Sequence, residues 1–267
     1  LDEYLNKNLI QLPDIDEGVW KIIPKTTSNI NNKIFTKGKL LKNWNIEFYR
    51  GITTGFNNAF NIDEEVKDFI VSQDNVSNQI IKPLLRGKDI KRYKYNYSKK
   101  HIIFSRKGID IENYKGVKEH LNKFYVDLLP KKDRTIKTGR KPGNYKWYEI
   151  QDNTSYYEEF EKEKIVWIEI SDRANYTLDS NKNYLTNSAY FISGKNLKYL
   201  LALLNSKLLD FYFFQITAKI AGGRKRYTKQ YVEQLPVIEI EKTAQKPFED
   251  RVNQILTIKK ENPNADT

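Results

Sequence analysis

The sequence predicts a mixed α/β (α+β) domain: a twisted mixed β-sheet with an amphipathic helix near 197–216 and a second helix at the C-terminal end. Three observations carry this. Ile165-Val166-Trp167-Ile168-Glu169-Ile170 and Ala189-Tyr190-Phe191-Ile192 are apolar runs of strand length, the first continuous enough to be central in a sheet. Leu197, Leu200, Leu201, Leu204, Leu208, Phe211 and Gln215 recur at three- and four-residue steps, which puts one wide apolar stripe on a helix. With 39% hydrophobic and 13% aromatic residues, 267 residues can bury one large core or two modest ones.

Taken in order, residues 1–35 mix short apolar pieces with Pro13, Pro24 and a polar run, and read as a connector; Asp14-Ile15-Asp16-Glu17-Gly18 lacks the spacing of a calcium loop and reads as a polar turn. The alternation through Ile46 and Phe48 predicts a strand, and Gly51 and Gly55 mark turns or close backbone approaches. Asp63 or Asn61 caps a short helix carrying Val66, Phe69 and Ile70. His101-Ile102-Ile103-Phe104 is strand-like. Val117, Leu121, Phe124 and Leu128 predict a helix ended by Pro130. The helix over Leu197–Ile216 starts at Ser193 or Gly194, and the pair Gly222-Gly223 stops it. A strand around Val237–Ile240 and a helix from about Pro247 to Lys260 complete the chain. The domain boundaries follow: a connector over 1–35, a central domain over 36–240 and a C-terminal helix over 241–267.

Forty-six Lys plus Arg against 34 Asp plus Glu give a formal charge of +12. Residues 82–107 carry +9, residues 131–146 carry +6 and residues 219–229 carry +5, so everything else is net negative. Positive charge segregated in this way suits a polyanion such as nucleic acid. The last block, around Ala221-Gly222-Gly223-Arg224-Lys225-Arg226-Tyr227, reads either as a cationic finger or as a helix end whose cations complement the dipole. The second block is a flexible, glycine-punctuated loop interleaved with aromatics, including Trp147.

Zero cysteines exclude disulfides, thiolate zinc and cysteine nucleophiles, and suit a reducing cytoplasm. No apolar run reaches membrane-spanning length, because Lys207 and Asp210 interrupt the most apolar helix. The absence of methionine, even at position 1, reads as a piece of a longer chain. Catalytic signatures are missing: there is no Gly-x-Ser-x-Gly, no Walker lysine, no Asn/Asp-Pro-Pro-Tyr/Phe, and the two histidines, His101 and His120, form no readable triad or metal set. Asp74 with Asp89-Ile90-Lys91 is a faint echo of a magnesium-dependent nuclease core, and cations beside aromatics would also serve an RNA-binding module. These two alternatives stand beside a DNA reader.

Seven segments in order resemble one family: Gly51-Ile52-Thr53-Thr54-Gly55-Phe56-Asn57-Asn58-Ala59-Phe60, Ile81-Lys82-Pro83-Leu84-Leu85-Arg86-Gly87-Lys88-Asp89-Ile90, Trp147-Tyr148-Glu149, Lys164-Ile165-Val166, Ala189-Tyr190-Phe191-Ile192, Leu203-Leu204-Asn205-Ser206 and Leu235-Pro236-Val237. They are similar to the TaqI-like C-terminal specificity domain. The resemblance implies the double-stranded DNA target-recognition part of an adenine-N6 methyltransferase or type II restriction-modification enzyme. It also implies a methyltransferase domain of the same polypeptide before residue 1, often with a nuclease domain before that, and a chain running on past Thr267. Catalytic residues and cofactors would be absent here, with S-adenosylmethionine, and magnesium where a nuclease is fused, belonging to the parent enzyme. The candidate DNA-binding residues are Arg86, Lys88, Lys91, Arg92, Arg106, Lys131, Lys132, Arg134, Lys137, Arg140, Lys141, Trp147, Arg173, Arg224, Lys225, Arg226, Tyr227 and Lys229.

Overall fold

The computed structural model describes residues 24–133, 135–152, 155–218 and 220–266. The Asp14–Gly18 turn, Arg134 and Lys219 lie outside the described residues. Elements are numbered in chain order among those residues. The helices are α1 (Lys25–Lys37), α2 (Asn57–Phe60), α3 (Glu64–Gln73), α4 (Lys115–Asn122), α5 (Tyr125–Leu128), α6 (Leu197–Leu204), α7 (Lys207–Ile216), α8 (Lys229–Val232) and α9 (Lys242–Glu261). The strands are β1 (Lys39–Leu40), β2 (Ile46–Arg50), β3 (Asn61–Asp63), β4 (Ile81–Leu85), β5 (Ile90–Lys91), β6 (Lys94–Tyr95), β7 (Lys100–Ile103), β8 (Lys164–Ile168), β9 (Ile170–Ser171), β10 (Tyr176–Asp179), β11 (Tyr184–Leu185), β12 (Ala189–Gly194), β13 (Lys225–Arg226) and β14 (Pro236–Val237).

The class is the expected mixed one, but the strands divide into two four-stranded sheets, ordered β10-β8-β12-β2 and β11-β4-β7-β3, with three two-stranded ribbons. The first sheet is antiparallel throughout, and the second joins β11 to β4 in parallel. β8 and β12 lie inside the first sheet, which is why their residues are apolar without alternation. One core, around Trp167, Tyr176, Leu200 and Phe213, covers one face of the first sheet; the other, around Phe60, Ile103, Leu85 and Phe160, takes in Val166 and Phe191 and fills the space between the two sheets. Gly51 joins them. Its N–H donates to the Ala189 carbonyl at 2.9 Å, and a Cβ there would sit 2.1 Å from the Thr186 carbonyl oxygen, so β2 passes the β11–β12 turn at a distance that only glycine allows.

Local chemistry set the boundaries that periodicity misplaced. The single helix expected over Leu197–Ile216 is two. Asn205 ends the first as its C-cap, and its side chain bonds the backbone of Tyr176, accepting from its N–H at 3.1 Å and donating to its carbonyl at 2.9 Å. Ser206 then caps α7 by accepting from the Leu209 N–H. The break shifts the phase, so Leu208 and Phe211, expected inside, are 55% and 38% exposed, and Leu209, Tyr212 and Phe213 are buried instead. The start also moves: β12 runs to Gly194, and Asn196 precedes α6 with a left-handed φ of 59°. The Val117–Leu128 helix similarly divides into α4 and α5, with Val117, Leu121 and Leu128 still buried. Asp63 caps α3 as expected, accepting from the Val66 N–H at 3.1 Å. Part of the stretch read as a connector forms α1, which packs against β14. α9 begins at Lys242, before Pro247. No helix among the described residues is long and apolar enough to cross a membrane.

Candidate nucleic-acid interface

One end of the first sheet gathers the basic segments. Register aligns Tyr176, Trp167, Tyr190 and Arg50 in one row across β10, β8, β12 and β2. Three cationic arms attach at or next to this row. The β5–β6 hairpin, with Lys91 and Arg92, is held where the Tyr93 N–H donates to the Tyr176 carbonyl at 2.9 Å, and Lys88 follows Gly87, whose N–H donates to Ser188 Oγ at 3.3 Å. The 131–146 loop is tied to the turn after β2 through Arg140, whose guanidinium reaches the Thr54 carbonyl at 3.0 Å. The 220–227 segment is joined by β13 pairing with β9, Arg226 opposite Ile170, and by the Tyr227 N–H donating to the Glu169 carbonyl at 2.7 Å. The 220–227 segment and the Gly87 turn thus meet Glu169 and the Thr186–Ser188 turn, while the β5–β6 hairpin joins the same sheet end at Tyr176 and the 131–146 loop joins it past β2 at Thr54.

The loop carries its own staple. All five N–H donors of Arg140, which is 2% exposed, are spent on main-chain carbonyls: Leu128 at 2.8 Å, Thr54 at 3.0 Å, Glu149 at 2.6 Å, Lys146 at 3.1 Å and Trp147 at 2.9 Å. Burial pushes its pKa down to about 10, so it is still a cation at neutral pH. Buried Glu149 closes the same loop, accepting from the N–H groups of Gly108 and Lys146, both at 2.8 Å. The Trp147-Tyr148-Glu149 segment is therefore scaffold. So is the Arg86–Asp89 turn, in which Arg86 forks onto Asp89 (Nε to Oδ2 and Nη2 to Oδ1, both 2.9 Å). Burial alone would raise the Asp89 carboxyl, but the bonds from Arg86 and Ser98 outweigh it and hold it below its ordinary range.

Residues 82–237 match the family model of the TaqI-like C-terminal specificity domain. The chain belongs to this family. The specificity domain also resembles two solved structures. One is the type IIL restriction-modification enzyme MmeI, solved in complex with DNA, at a TM-score of 0.58 and 16% identity, covering 86% of this chain and 30% of that one. The other is the type IIG restriction endonuclease BpuSI, at a TM-score of 0.52 and 14% identity, covering 86% of this chain and 28% of that one. The chain thus spans under a third of the length of each. No curated protein sequence matches it.

The expected site residues of the specificity domain fall into three groups. Lys88, Lys91, Arg173, Arg224 and Lys229 are exposed and Arg92 and Arg226 half-buried at the sheet end or on its arms, with Lys132, Lys137 and Lys141 exposed and Lys131 half-buried on the stapled loop. Arg106 is exposed but lies over the Tyr157 ring at 4.8 Å, beside the core around Phe60 and Phe160. Five residues are corrected to structural roles, Arg86 first, through its fork onto Asp89. Arg140 has no donor left for DNA. Lys225 is buried against Asp210 at 3.1 Å, and Tyr227 bonds the same carboxylate at 2.8 Å while stacking on Phe213 at 4.2 Å. Trp147 packs edge-on against Tyr125 and Tyr148. The strand period of two explains the pattern: Lys225 and Tyr227 point in, so Arg226 points out. The segment is consequently pinned to β9 and α7, and only its tip, where Gly222 and Gly223 have φ of 78° and 72°, stands clear. Arg50 and Glu169 are in the site although sequence reasoning passed over them; an arginine closing a strand directly before Gly51 was the available signal.

The nuclease and RNA alternatives gain no support. Asp74 is occupied with the Ser77 hydroxyl at 2.7 Å and the N–H groups of Val76 and Gly116, and Asp89 with Arg86. No group of three or more His, Cys, Asp or Glu among the described residues could hold a metal ion.

Proposed function

We propose that this specificity domain reads a short double-stranded DNA sequence for a restriction-modification enzyme, gripping phosphates with its flanking cations and reading base edges in the major groove from the end of the first sheet. The attachment of three basic arms at or next to one end of the first sheet, at Tyr176, Thr54 and Glu169, is the observation that supports this most. In this reading the same polypeptide also contains an adenine-N6 methyltransferase, with or without a nuclease, acting in the cytoplasm. S-adenosylmethionine, and magnesium for a fused nuclease, would be bound by those parts, consistent with the lack of an Asn/Asp-Pro-Pro-Tyr/Phe sequence here.

Fluorescence anisotropy of the 267-residue chain on labelled duplexes, competed with single-stranded RNA, tests the reading. Duplex DNA is expected to win, with log affinity falling steeply against log salt. Preference for the RNA, or cleavage or methylation by this chain alone when magnesium and S-adenosylmethionine are supplied, would refute it.

A further inference from the structure

Where β13 pairs with β9 beside the end of β2, one carboxylate holds two arginines. Glu169 Oε2 meets Arg50 Nη2 at 3.2 Å and Glu169 Oε1 meets Arg226 Nη1 at 3.3 Å. The carboxylate is largely enclosed, its side chain 15% exposed, whereas the arginine side chains are 50% and 42% exposed. Arg50 is fixed further: its Nε donates to the Asn187 carbonyl at 3.0 Å, its guanidinium lies 5.6 Å from the Tyr190 ring centre, and its own carbonyl accepts from Tyr156 Oη at 2.9 Å. Both arginines come from paired strands, Arg50 opposite Tyr190 and Arg226 opposite Ile170. After these bonds Arg50 retains three N–H donors and Arg226 four.

Two features separate this cluster from a phosphate clamp. A carboxylate between the arginines repels phosphate and cancels half of their charge, which a site selected for backbone contact would avoid. Each guanidinium is also held on regular structure, so its fork has a fixed direction. What remains at the surface is the free donors of two arginines on either side of a carboxylate whose side chain is 15% exposed. Across the major groove a guanine offers two acceptors, O6 and N7, which suit an arginine fork, and its cytosine offers the N4 amino donor, which suits a carboxylate.

We infer that Arg50, Glu169 and Arg226 form a base-reading triplet that selects G·C pairs in the DNA target, with Glu169 setting the direction of both arginine forks. This rests on the DNA-recognition reading above and names the residues and base type through which it acts.

The test is selection of bound duplexes from a randomised library by the wild-type chain and by Arg50→Lys, Arg226→Lys and Glu169→Gln. The lysine variants keep charge but lose the fork, and melting curves identify any variant that fails to fold. The wild type is expected to enrich a site with at least one fixed G·C pair. Each arginine variant is expected to lose discrimination at a G·C position by about tenfold to a hundredfold, keeping the rest of the site. Glu169→Gln is expected to loosen the positions read by both arginines together. If the wild type selects a site that all three folded variants select unchanged, or one without a fixed G·C pair, the inference is overturned and the recognition reading survives. If the wild type binds duplexes without enriching any sequence, both are overturned.

Discussion

Replacing Arg140 with alanine distinguishes a buried staple from a DNA contact. Of the five carbonyls it satisfies, that of Thr54 also accepts from the Gln151 N–H and that of Lys146 from the Glu149 N–H. The carbonyls of Leu128, Trp147 and Glu149 have Arg140 as their hydrogen-bond donor. A buried acceptor left unsatisfied costs about 1–3 kcal/mol, and at the low end, because the loop can relax and admit water, three cost about 3 kcal/mol. For a chain of this size each kcal/mol moves Tm by about 2–4 °C, so Arg140→Ala is expected to melt about 6–12 °C lower. Arg140→Lys should do little better, since one ammonium cannot reach carbonyls spread from Thr54 to Glu149. Thermal melts followed by circular dichroism measure this, and duplex binding well below Tm should keep the wild-type salt slope. An unchanged Tm accompanied by a slope flatter by about 0.9 would refute the staple and return Arg140 to a phosphate.

Three further outcomes are expected. Changing Lys88, Lys91 and Arg92 to alanine should weaken binding to all duplexes alike and flatten the logarithmic salt slope by about 0.9 for each phosphate no longer neutralised; an unchanged slope in anisotropy titrations would remove this arm from the interface. Gly51→Ala should lower Tm sharply and reduce the yield of folded chain, because its Cβ would meet the Thr186 carbonyl oxygen at 2.1 Å, a backbone atom with no room to retreat; a near-wild-type melt would show that the two sheets can separate there. Burial holds the His120 imidazole below its ordinary pKa while its ring nitrogen bonds the Ala59 carbonyl at 3.0 Å. The unfolded chain therefore takes up this proton first, so the contribution is complete above the unfolded value near about 6.5 and is lost as pH falls toward the folded pKa. Urea melts from pH 7.5 to 5 should show that decline, and His120→Gln should remove part of it.

Charge and hydrophobic period, properties of residues taken a few at a time, were legible without coordinates. The mixed class, the strands at Ile165 and Ala189, the Asp63 cap, the three basic blocks and the ordered family segments all depend on neighbours within a turn or a strand. Where one side chain reaches across the fold, that reading failed. Asn205 breaks a helix to bond Tyr176, Asp210 draws Lys225 and Tyr227 inward, and Arg140 turns from solvent to five carbonyls. In each case a polar group exchanges water for partners elsewhere in the chain, and the gain is invisible to periodicity. The same holds for the site. That this chain carries cations was written in its composition; that Arg50, Glu169 and Arg226 meet was decided by strand register, which closes separations of 119 and 57 residues to 3.2 and 3.3 Å because each buried face must find its complement.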